Sequence, residues 1–370
     1  MSEAKRAPLA GPLAGLRVIE MDALGPVPFC AMLLAGMGAD VIHIARPGQS
    51  EEGLNRRIDV LQRGRPSVQT NVKSPEGVAL VKNLAARADI LIEGLRPGVM
   101  ERLGLGPDIL MGQNPRLIYG RMTGWGQSGP LSQTAGHDIN YIALSGALHA
   151  IGRADERPVP PLNLVGDYGG GALYLALGVL AASIDVAKTG RGQVVDAAMI
   201  DGAASLMSVF CAFAANGMWV EERGANLLDG GAPWYDTYEA RDGRYIAVGA
   251  LEEQFWAALL DGLGLKPDDL PPRGDRANWP IIRERLASVF ATKTRDEWAA
   301  QFVGTDACVS PVLSLSEARS HPHIISRQTF VELEGVSQPA PAPRFERGSG
   351  CPAPASWIEP TEALRRWPTR

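Results

Sequence analysis

The chain has 370 residues, of which 45% are hydrophobic and 21% charged, and its formal net charge is −5 at pH 7. A single hydrophobic core stops growing at about 250–300 residues, so this length predicts two domains. The composition excludes an intrinsically disordered or collagen-like chain. Nucleic-acid-binding proteins carry an excess of Lys and Arg, so the acidic balance predicts no nucleic-acid partner.

The four cysteines, Cys30, Cys211, Cys308 and Cys351, are widely spaced and form no Cys-x-x-Cys pair. Disulfide-stabilised domains are short and secreted, so the pattern predicts reduced thiols and a cytoplasmic location. The amino terminus lacks the apolar segment of a signal peptide. The most apolar run, Gly169–Ile184, is shorter than a membrane span, and we expect a buried helix there and no membrane partner.

Strand and helix patterns alternate in the first half of the chain. The predicted strands are Leu16–Met21, Ala39–Ala45, Ala88–Leu95 and Leu117–Met122, and the predicted helices are Phe29–Gly38 and Pro75–Arg87. Such alternation predicts a parallel sheet with covering helices, a Rossmann-like α/β domain over the first two thirds of the chain. No Gly-x-Gly-x-x-Gly follows the first strand, so we expect no nicotinamide dinucleotide cofactor.

The sequence pattern changes at Trp234, where WYDTYEARDGRYIAVGA alternates around Asp242-Gly243, a hairpin turn signal. After Gly335 the chain becomes rich in proline and polar residues, which is typical of a segment that covers another unit. The predicted division is a large domain over 1–198 completed by 330–370, a small α+β domain over 223–316, and linkers at 199–222 and 317–329.

His137 is the first candidate for chemistry. It lies in a Gly-rich loop after a predicted strand, the position at which open α/β sheets bind ligands. The alternative is a loop histidine that is hydrogen-bonded to its neighbour Asp138. The five histidines show no recognised zinc-binding spacing, so no metal site is predicted.

Asp167 is the second candidate. It lies in Gly166-Asp-Tyr-Gly-Gly-Gly171, directly before a predicted apolar helix over 172–186. An acid at this position commonly caps a helix. Three consecutive glycines leave backbone amides approachable, as an oxyanion or enolate site needs. The spacing alone leaves both interpretations open.

Several longer strings carry a family resemblance. They are ADVIHIARP (39–47), LRPGVMERLGLGP (95–107), RMTGWGQSGP (121–130), GHDINYIALSGALHAIGRADERPVPPLNLVGDYGGG (136–171), GRGQVVDAAMIDG (190–202), RGANLLDGGAPWYDTYEARDGRYIAVGALEEQFW (223–256) and DACVSPVL (306–313). Over nearly its whole length the chain resembles the α-methylacyl-CoA racemases, a branch of the family III CoA-transferase superfamily. The string that contains both His137 and Asp167 is the most specific.

The resemblance implies a two-base reaction on an acyl-CoA substrate, with no separate cofactor. The thioester α-proton is a weak acid, so its exchange needs a base on one face, a conjugate acid on the other, and stabilisation of the enolate oxygen. His137 and Asp167 match the two bases, and Glu252 matches a glutamate that supports the histidine. We expect burial to raise the pKa of Asp167. The resemblance also implies the family III fold, a site between the two domains, and an interlocked homodimer.

Coenzyme A carries several phosphates, which arginine is well suited to bind. The positions that match the family's CoA contacts are Arg46, Thr70, Asn71, Val72, Lys73, Gly94, Leu95, Arg96, Arg102, Gly136, Asp138 and Tyr141. For any isolated arginine among them, the alternative is a solvated surface charge. Two stretches, Glu20–Cys30 and Gly48–Pro66, match the family less tightly, and Thr70-Asn-Val replaces a more usual Asp-Leu pattern before Lys73.

Two alternative functions are considered. In a CoA transferase of the same superfamily, the aspartate that matches Asp167 attacks the thioester covalently. His137 favours the racemase, because a transferase needs no second base there. A non-catalytic acyl-CoA-binding paralogue is disfavoured because His137, Asp167 and Glu252 are all retained. A 2-methyl branch on the acyl chain is expected from the family.

Overall fold

The computed structural model describes residues 10–48, 59–348, 350 and 353–369. The strands are β1 (Arg17–Met21), β2 (Asp40–Ala45), β3 (Pro66–Gln69), β4 (Ile90–Glu93), β5 (Ile118–Thr123), β6 (Val194–Ala198), β7 (Tyr235–Glu239), β8 (Tyr245–Gly249), β9 (Val309–Pro311), β10 (Phe330–Leu333), β11 (Val336–Pro339) and β12 (Ser356–Trp357). The α-helices are α1 (Pro26–Gly36), α2 (Pro75–Ala85), α3 (Val99–Arg102), α4 (Pro107–Gln113), α5 (Asp138–Leu144), α6 (Ala147–Ala150), α7 (Leu173–Thr189), α8 (Met199–Leu206), α9 (Ser208–Ala215), α10 (Glu253–Leu263), α11 (Trp279–Phe290), α12 (Arg295–Phe302), α13 (Leu315–Ser320), α14 (Pro322–Ser326) and α15 (Pro360–Arg366).

The chain folds into two compact units. The first is drawn from Met1–Ser145, Leu162–Leu206 and His323–Arg370, and the second from Gly146–Pro161 and Met207–Pro322. Gly146–Pro161, which the sequence placed in the large domain, therefore belongs to the second unit. Helices α8, α9 and α14 and most of α13 lie in the two segments that the sequence predicted as linkers.

The first unit contains a seven-stranded parallel sheet in the order β12-β3-β2-β1-β4-β5-β6. Neighbouring residues of one strand enter opposite cores. Val18 packs with α1 and α7 on one face, and Ile19 packs with α2 and α15 on the other. Strands buried on both faces are near-continuously apolar, which explains runs such as Ile90–Ile92. The predicted parallel sheet with covering helices is confirmed.

The predicted elements of this unit are present, with boundaries that differ by up to three residues. A shift of three residues occurs at α1, which begins at Pro26 rather than at Phe29. Pro26 and Pro28 stand in its first turn, where the missing proline N–H has no intrahelical partner to lose. The helix therefore includes two prolines that lie outside the predicted range.

The apolar helix predicted over 172–186 is longer than expected. A π-helical segment, Leu164–Ala172, continues directly into α7. By length and composition alone, Leu164–Thr189 could cross a membrane; its most apolar 18-residue window has a mean hydropathy of 1.7 and is 44% buried. Leu175 and Val179 are fully buried and lie over Gly120 of β5, where a Cβ would come within 2.9 Å and 3.0 Å of them. This side of the helix is core of the first unit.

The second unit contains a three-stranded antiparallel sheet in the order β7-β8-β9. The predicted hairpin at Asp242-Gly243 is confirmed, with Gly243 at a φ of 74°. Buried aromatic residues from α10, α11 and α12 pack on this sheet, among them Trp256, Phe290 and Trp298. Arg153 donates to the carboxylate of Asp236 on β7 at 2.5 Å, which helps to explain why Gly146–Pro161 belongs here.

The C-terminal segment adds to the first unit. Strand β12 pairs in parallel with β3, placing Ser356 opposite Pro66. Trp367 is 1% exposed, and its indole N–H donates to Asp40 Oδ2 at 3.1 Å. Arg366 forms an ion pair with the same carboxylate. These long-range contacts hold the segment to the edge of the parallel sheet.

Candidate active site

The loops that carry the predicted site residues leave the carboxyl ends of parallel strands. Arg46 follows β2, residues 70–73 follow β3, residues 94–96 follow β4, and the loop ending at His137 follows β5. Parallel strands place these loops at one edge of the sheet. The chain winds outward in one direction through β2 and β3 and in the other through β4 and β5, so a topological switch point lies between β1 and β4.

Asp167 reaches this switch point. A Cβ on Gly25, in the loop after β1, would lie 3.2 Å from Asp167 Oδ2. Gly25 also has a φ of 70°, a left-handed conformation that favours glycine. Asn163, one helical turn earlier, donates its side-chain amide to the same oxygen of Asp167 at 3.1 Å. The carboxylate therefore lies beside the crevice where open α/β sheets bind ligands.

Burial raises the pKa of the half-buried Asp167 carboxyl above its ordinary value. The Asn163 hydrogen bond opposes this shift, the negative charge of Asp138 adds to it, and a positive charge on His137 opposes it. His137 and Asp167 are thus close enough to interact electrostatically. A carboxyl with a raised pKa accepts and releases a proton nearer to neutral pH than an ordinary aspartate does.

Asp167 lies inside the π-helical segment and caps neither this segment nor α7, whose N-cap residues are Asn163 and Ala172. The interpretation of the three following glycines as approachable amides is wrong for Gly170 and Gly171, because both residues are buried. A Cβ on Gly170 would lie 2.5 Å from Ala203 N of α8, and one on Gly171 would lie 2.8 Å from Met199 Cγ. These two glycines allow close helix packing. π-helical turns are rare and often occur at functional sites.

His137 directly precedes α5, and its side chain is exposed. Its backbone N–H donates to Asn140 Oδ1 at 3.0 Å, which fixes the start of the helix. Oδ2 of the buried Asp138 accepts the backbone N–H of Asp167 at 2.6 Å, and Oδ1 has no hydrogen-bond partner within the described part of the chain. The structure thus gives no support to a bond between His137 and Asp138. Instead, Asp138 links the segments that carry the two candidate bases.

Tyr141 shapes the loop before His137. Its buried ring lies edge-on to Trp125, with ring centroids 4.8 Å apart, and its hydroxyl donates to the backbone oxygen of Gly136. A Cβ on Gly124 would lie 2.1 Å from the Tyr141 ring, so the loop requires glycine there. Trp125 was not among the predicted site residues, although the glycines on both sides of it were a signal of close packing.

The predicted CoA-binding cations have exposed side chains; they are Arg46, Lys73, Arg96 and Arg102. Asp22, which follows β1, pairs with Arg46 at 2.8 Å and was not predicted. The backbone N–H of Lys73 donates to Asn71 Oδ1 at 3.0 Å, forming a tight turn after β3. Gly94 packs closely, since a Cβ would lie 2.8 Å from Val27 Cγ2. Residues 49–58 of the less closely matching stretch lie outside the described residues.

Glu252 belongs to the second unit, where it directly precedes α10 and is exposed. Burial, followed by the negative charge of Glu252, raises the pKa of the Cys308 thiol. The predicted role of Glu252 beside His137 stays a prediction. No cluster of three His, Cys, Asp or Glu side chains suited to a metal ion occurs among the residues that the structure describes.

Comparison with known proteins identifies the family. The model of CoA-transferase family III matches residues 13–363. The chain is 46% identical over 360 residues to α-methylacyl-CoA racemase of Mus musculus, covering 96% of this chain and 93% of that protein. It is 49% identical over 335 residues to α-methylacyl-CoA racemase of Homo sapiens, covering 90% and 86%. The crystal structure of a CAIB/BAIF family protein from Brucella suis shares the fold, with a TM-score of 0.80 at 24% identity and coverage of 96% of this chain and 98% of that one. The chain belongs to CoA-transferase family III, as the sequence resemblance predicted.

Proposed function

We propose that this protein is an α-methylacyl-CoA racemase that interconverts (2R)- and (2S)-2-methylacyl-CoA thioesters. Identities of 46% and 49% to two such racemases over at least 90% of the chain support the activity. The observation that carries the mechanism is the position of Asp167, a half-buried carboxyl with a raised pKa at the switch point of the parallel sheet, within electrostatic range of His137.

In the proposed reaction, one base removes the proton from C2 while the conjugate acid of the other stands on the opposite face. The C2–H electron pair moves into an enolate, and the proton returned by the second group inverts the centre. Asp167 and His137 exchange these roles in the two directions. The raised pKa of Asp167 brings it closer to the pKa of the weakly acidic α-proton. Glu252 is proposed to support His137.

Exposed cations at the carboxyl edge of the sheet are proposed to bind the phosphates of coenzyme A. Asp138 is also proposed to contact the substrate; its Oδ1 is buried and has no hydrogen-bond partner among the described residues. Of the other predicted contacts, Thr70, Asn71, Val72, Leu95 and Gly136 lie in the same loops, and Tyr141 lies in α5. The acyl-CoA is therefore the substrate, and no further cofactor is proposed.

We also propose that the protein acts as an interlocked homodimer in the cytoplasm. Leu173, Leu177 and Ile184 are between 50% and 65% exposed along one helix of the first unit, an apolar stripe of the kind found at subunit interfaces. Cys30, Cys211 and Cys308 are free thiols, which fits a reducing compartment.

Proton NMR of a 2-methylacyl-CoA incubated with the protein in deuterium oxide tests the activity. Loss of the C2 proton signal together with inversion at C2 is the expected result. Transfer of CoA to an added carboxylate without exchange would identify a transferase with Asp167 as nucleophile. Binding of acyl-CoA with neither reaction would identify a non-catalytic paralogue.

Removing the positive charge of Arg46 is expected to weaken CoA binding about tenfold, roughly the worth of one charge-assisted phosphate contact. Arg46→Met should raise the dissociation constant of CoA, measured by calorimetry, and leave kcat nearly unchanged. Arg116→Met is the matched control, because Arg116 is exposed and precedes β5 at the opposite edge of the sheet. Equal effects of the two substitutions would contradict a specific contact at Arg46.

Asp138→Asn is expected to shift the acid limb of the pH–rate profile to lower pH. The pKa of Asp167 is raised first by burial and further by the charge of Asp138, so removing that charge lowers this pKa. The asparagine oxygen can still accept the Asp167 N–H. The limb is read from kcat/KM in the direction in which Asp167 acts as base. Asp108→Asn, an exposed acid on α4, should leave it in place. If the acid limb of the profile moves to higher pH or does not move in Asp138→Asn, this interpretation is wrong.

A further inference from the structure

Each of two adjacent strands of the parallel sheet carries one buried charge near its carboxyl end. Glu93, the last residue of β4, pairs in register with Arg121 of β5. Glu93 is 1% exposed and Arg121 is 7% exposed. Glu93 Oε1 accepts from Arg121 Nε at 3.1 Å. An ion pair buried to this degree is costly to desolvate, so it is a weak explanation of stability by itself.

The same two side chains hold the loop after β4 and the helix that follows it. Glu93 Oε2 accepts the backbone N–H of Leu95 at 2.7 Å. The two terminal nitrogens of Arg121 donate to the two carboxylate oxygens of Glu101 on α3, at 2.8 Å and 3.3 Å. The result is one continuous chain of hydrogen bonds from the loop backbone, through the sheet, to α3.

These two anchored elements carry predicted CoA contacts. Gly94, Leu95 and Arg96 form the loop, and Arg102 is the last residue of α3, next to Glu101. We propose that Glu93 is a positioning residue for coenzyme A, which acts through Leu95 and Arg121 to hold the 94–96 loop and α3 in the geometry that binds the ligand. The inference rests on the proposed binding of CoA at this edge of the sheet.

The charges that face Glu93 make this arrangement sensitive to pH. Arg121 and Tyr119 approach from β5 and Glu101 from α3. Burial raises the pKa of Glu93 to about 7, despite the opposing hydrogen bonds from Leu95 and Arg121. In a protonated carboxyl the carbonyl oxygen can still accept from Leu95, but the O–H oxygen is a weaker acceptor and offers no negative charge to Arg121. The link to Arg121 is therefore complete above about pH 7 and weakens below it.

Calorimetric titration of the full-length protein with free coenzyme A between pH 5.5 and 9 tests the proposal. Glu93→Gln is isosteric and permanently uncharged, and its single oxygen can accept from only one of the two donors. At pH 8 we expect it to raise the dissociation constant of CoA about tenfold, the effect of losing one charge-assisted link. Near pH 6 the two proteins should converge, because the wild-type Glu93 is then protonated. The phosphate monoester of CoA itself changes protonation at about pH 6, and this affects both proteins equally. The quantity to compare is therefore the ratio of the two CoA dissociation constants at each pH.

Two further variants separate positioning from stability. Glu20→Gln removes a fully buried carboxylate from the neighbouring strand β1, where it pairs with Arg65 at 2.8 Å. It should lower the melting temperature without changing the pH dependence of CoA binding. Glu101→Gln keeps the proposal testable if Glu93→Gln fails to fold, because Glu101 is 42% exposed. It should raise the CoA dissociation constant about threefold by loosening α3.

In α-proton exchange assays, Glu93→Gln should raise KM and leave kcat within about twofold. A CoA dissociation constant that follows the same pH course in wild type and Glu93→Gln, or a loss confined to kcat, would overturn the proposal. If the CoA dissociation constants of Glu93→Gln and wild type show the expected ratio but the wild type exchanges no α-proton, the proposed racemase activity is wrong and the proposed role of Glu93 is still supported. If the wild-type protein binds no CoA, both the proposed racemase activity and the proposed role of Glu93 are wrong.

Discussion

Asp167→Asn and His137→Ala are each expected to slow racemisation of 2-methylacyl-CoA by about 10²–10⁴-fold. Either substitution removes one of the two groups that inversion requires. Asparagine preserves the size of Asp167, and its carbonyl oxygen can still accept from Asn163, so the π-helical segment should keep its structure. The rate of inversion is followed by chiral separation of the acyl-CoA, starting from each pure enantiomer.

Deuterium incorporation from each enantiomer makes this prediction sharper. A variant with one remaining base can still exchange the proton on the face which that base reaches, but it cannot invert the centre. Asp167→Asn and His137→Ala should therefore lose exchange from opposite enantiomers. If one variant keeps exchange from both enantiomers, the two-base assignment is wrong. An acyl group attached covalently to Asp167 in the wild type would instead indicate a nucleophile.

The parallel sheet and the edge that carries the site follow from local sequence. Runs such as Ile90–Ile92 are buried on both faces, and the alternation of strands with helices leaves a parallel sheet as the simplest arrangement. Once the strands are parallel, the loop before His137 and the loop carrying Arg46 must share one edge. The local sequence pattern and the direction of the strands were therefore sufficient to predict the parallel sheet and the edge that carries these loops.

Other features depend on contacts that a sequence does not display. The three glycines after Asp167 are typical of a loop, but they lie in a π-helical segment, and two of them allow α8 to pack closely. Gly146–Pro161 joins the second unit partly through Arg153, whose partner Asp236 is 83 residues away. The sequence shows one charged residue in each of two apolar strands, Glu93 and Arg121. That they face each other follows only from the register of the two strands.

The contact between α8 and the π-helical segment predicts a large loss of stability for Gly202→Ala. Alanine in a helix usually stabilises it by about 0.5–1 kcal/mol relative to glycine. Here a Cβ would lie 1.8 Å from the backbone oxygen of Gly170, and backbone atoms cannot rotate away. We expect the free energy of unfolding, measured with urea, to fall by about 3 kcal/mol or more, at the upper end for overpacked sites.

Because Gly170 lies three residues after Asp167, the displacement should also reach the site. A shift of about 1 Å can cost about 10²-fold in rate, so α-proton exchange should fall further than CoA binding does. Gly170→Ala should reproduce both effects from the other side of the contact, since its Cβ would lie 2.5 Å from Ala203 N. Gly112→Ala is the matched control, because that glycine of α4 has no atom within 4 Å of the added Cβ and should gain stability. Equal stabilities of Gly202→Ala and Gly112→Ala would mean that α8 moves aside at little cost and that close packing does not hold Asp167 in place.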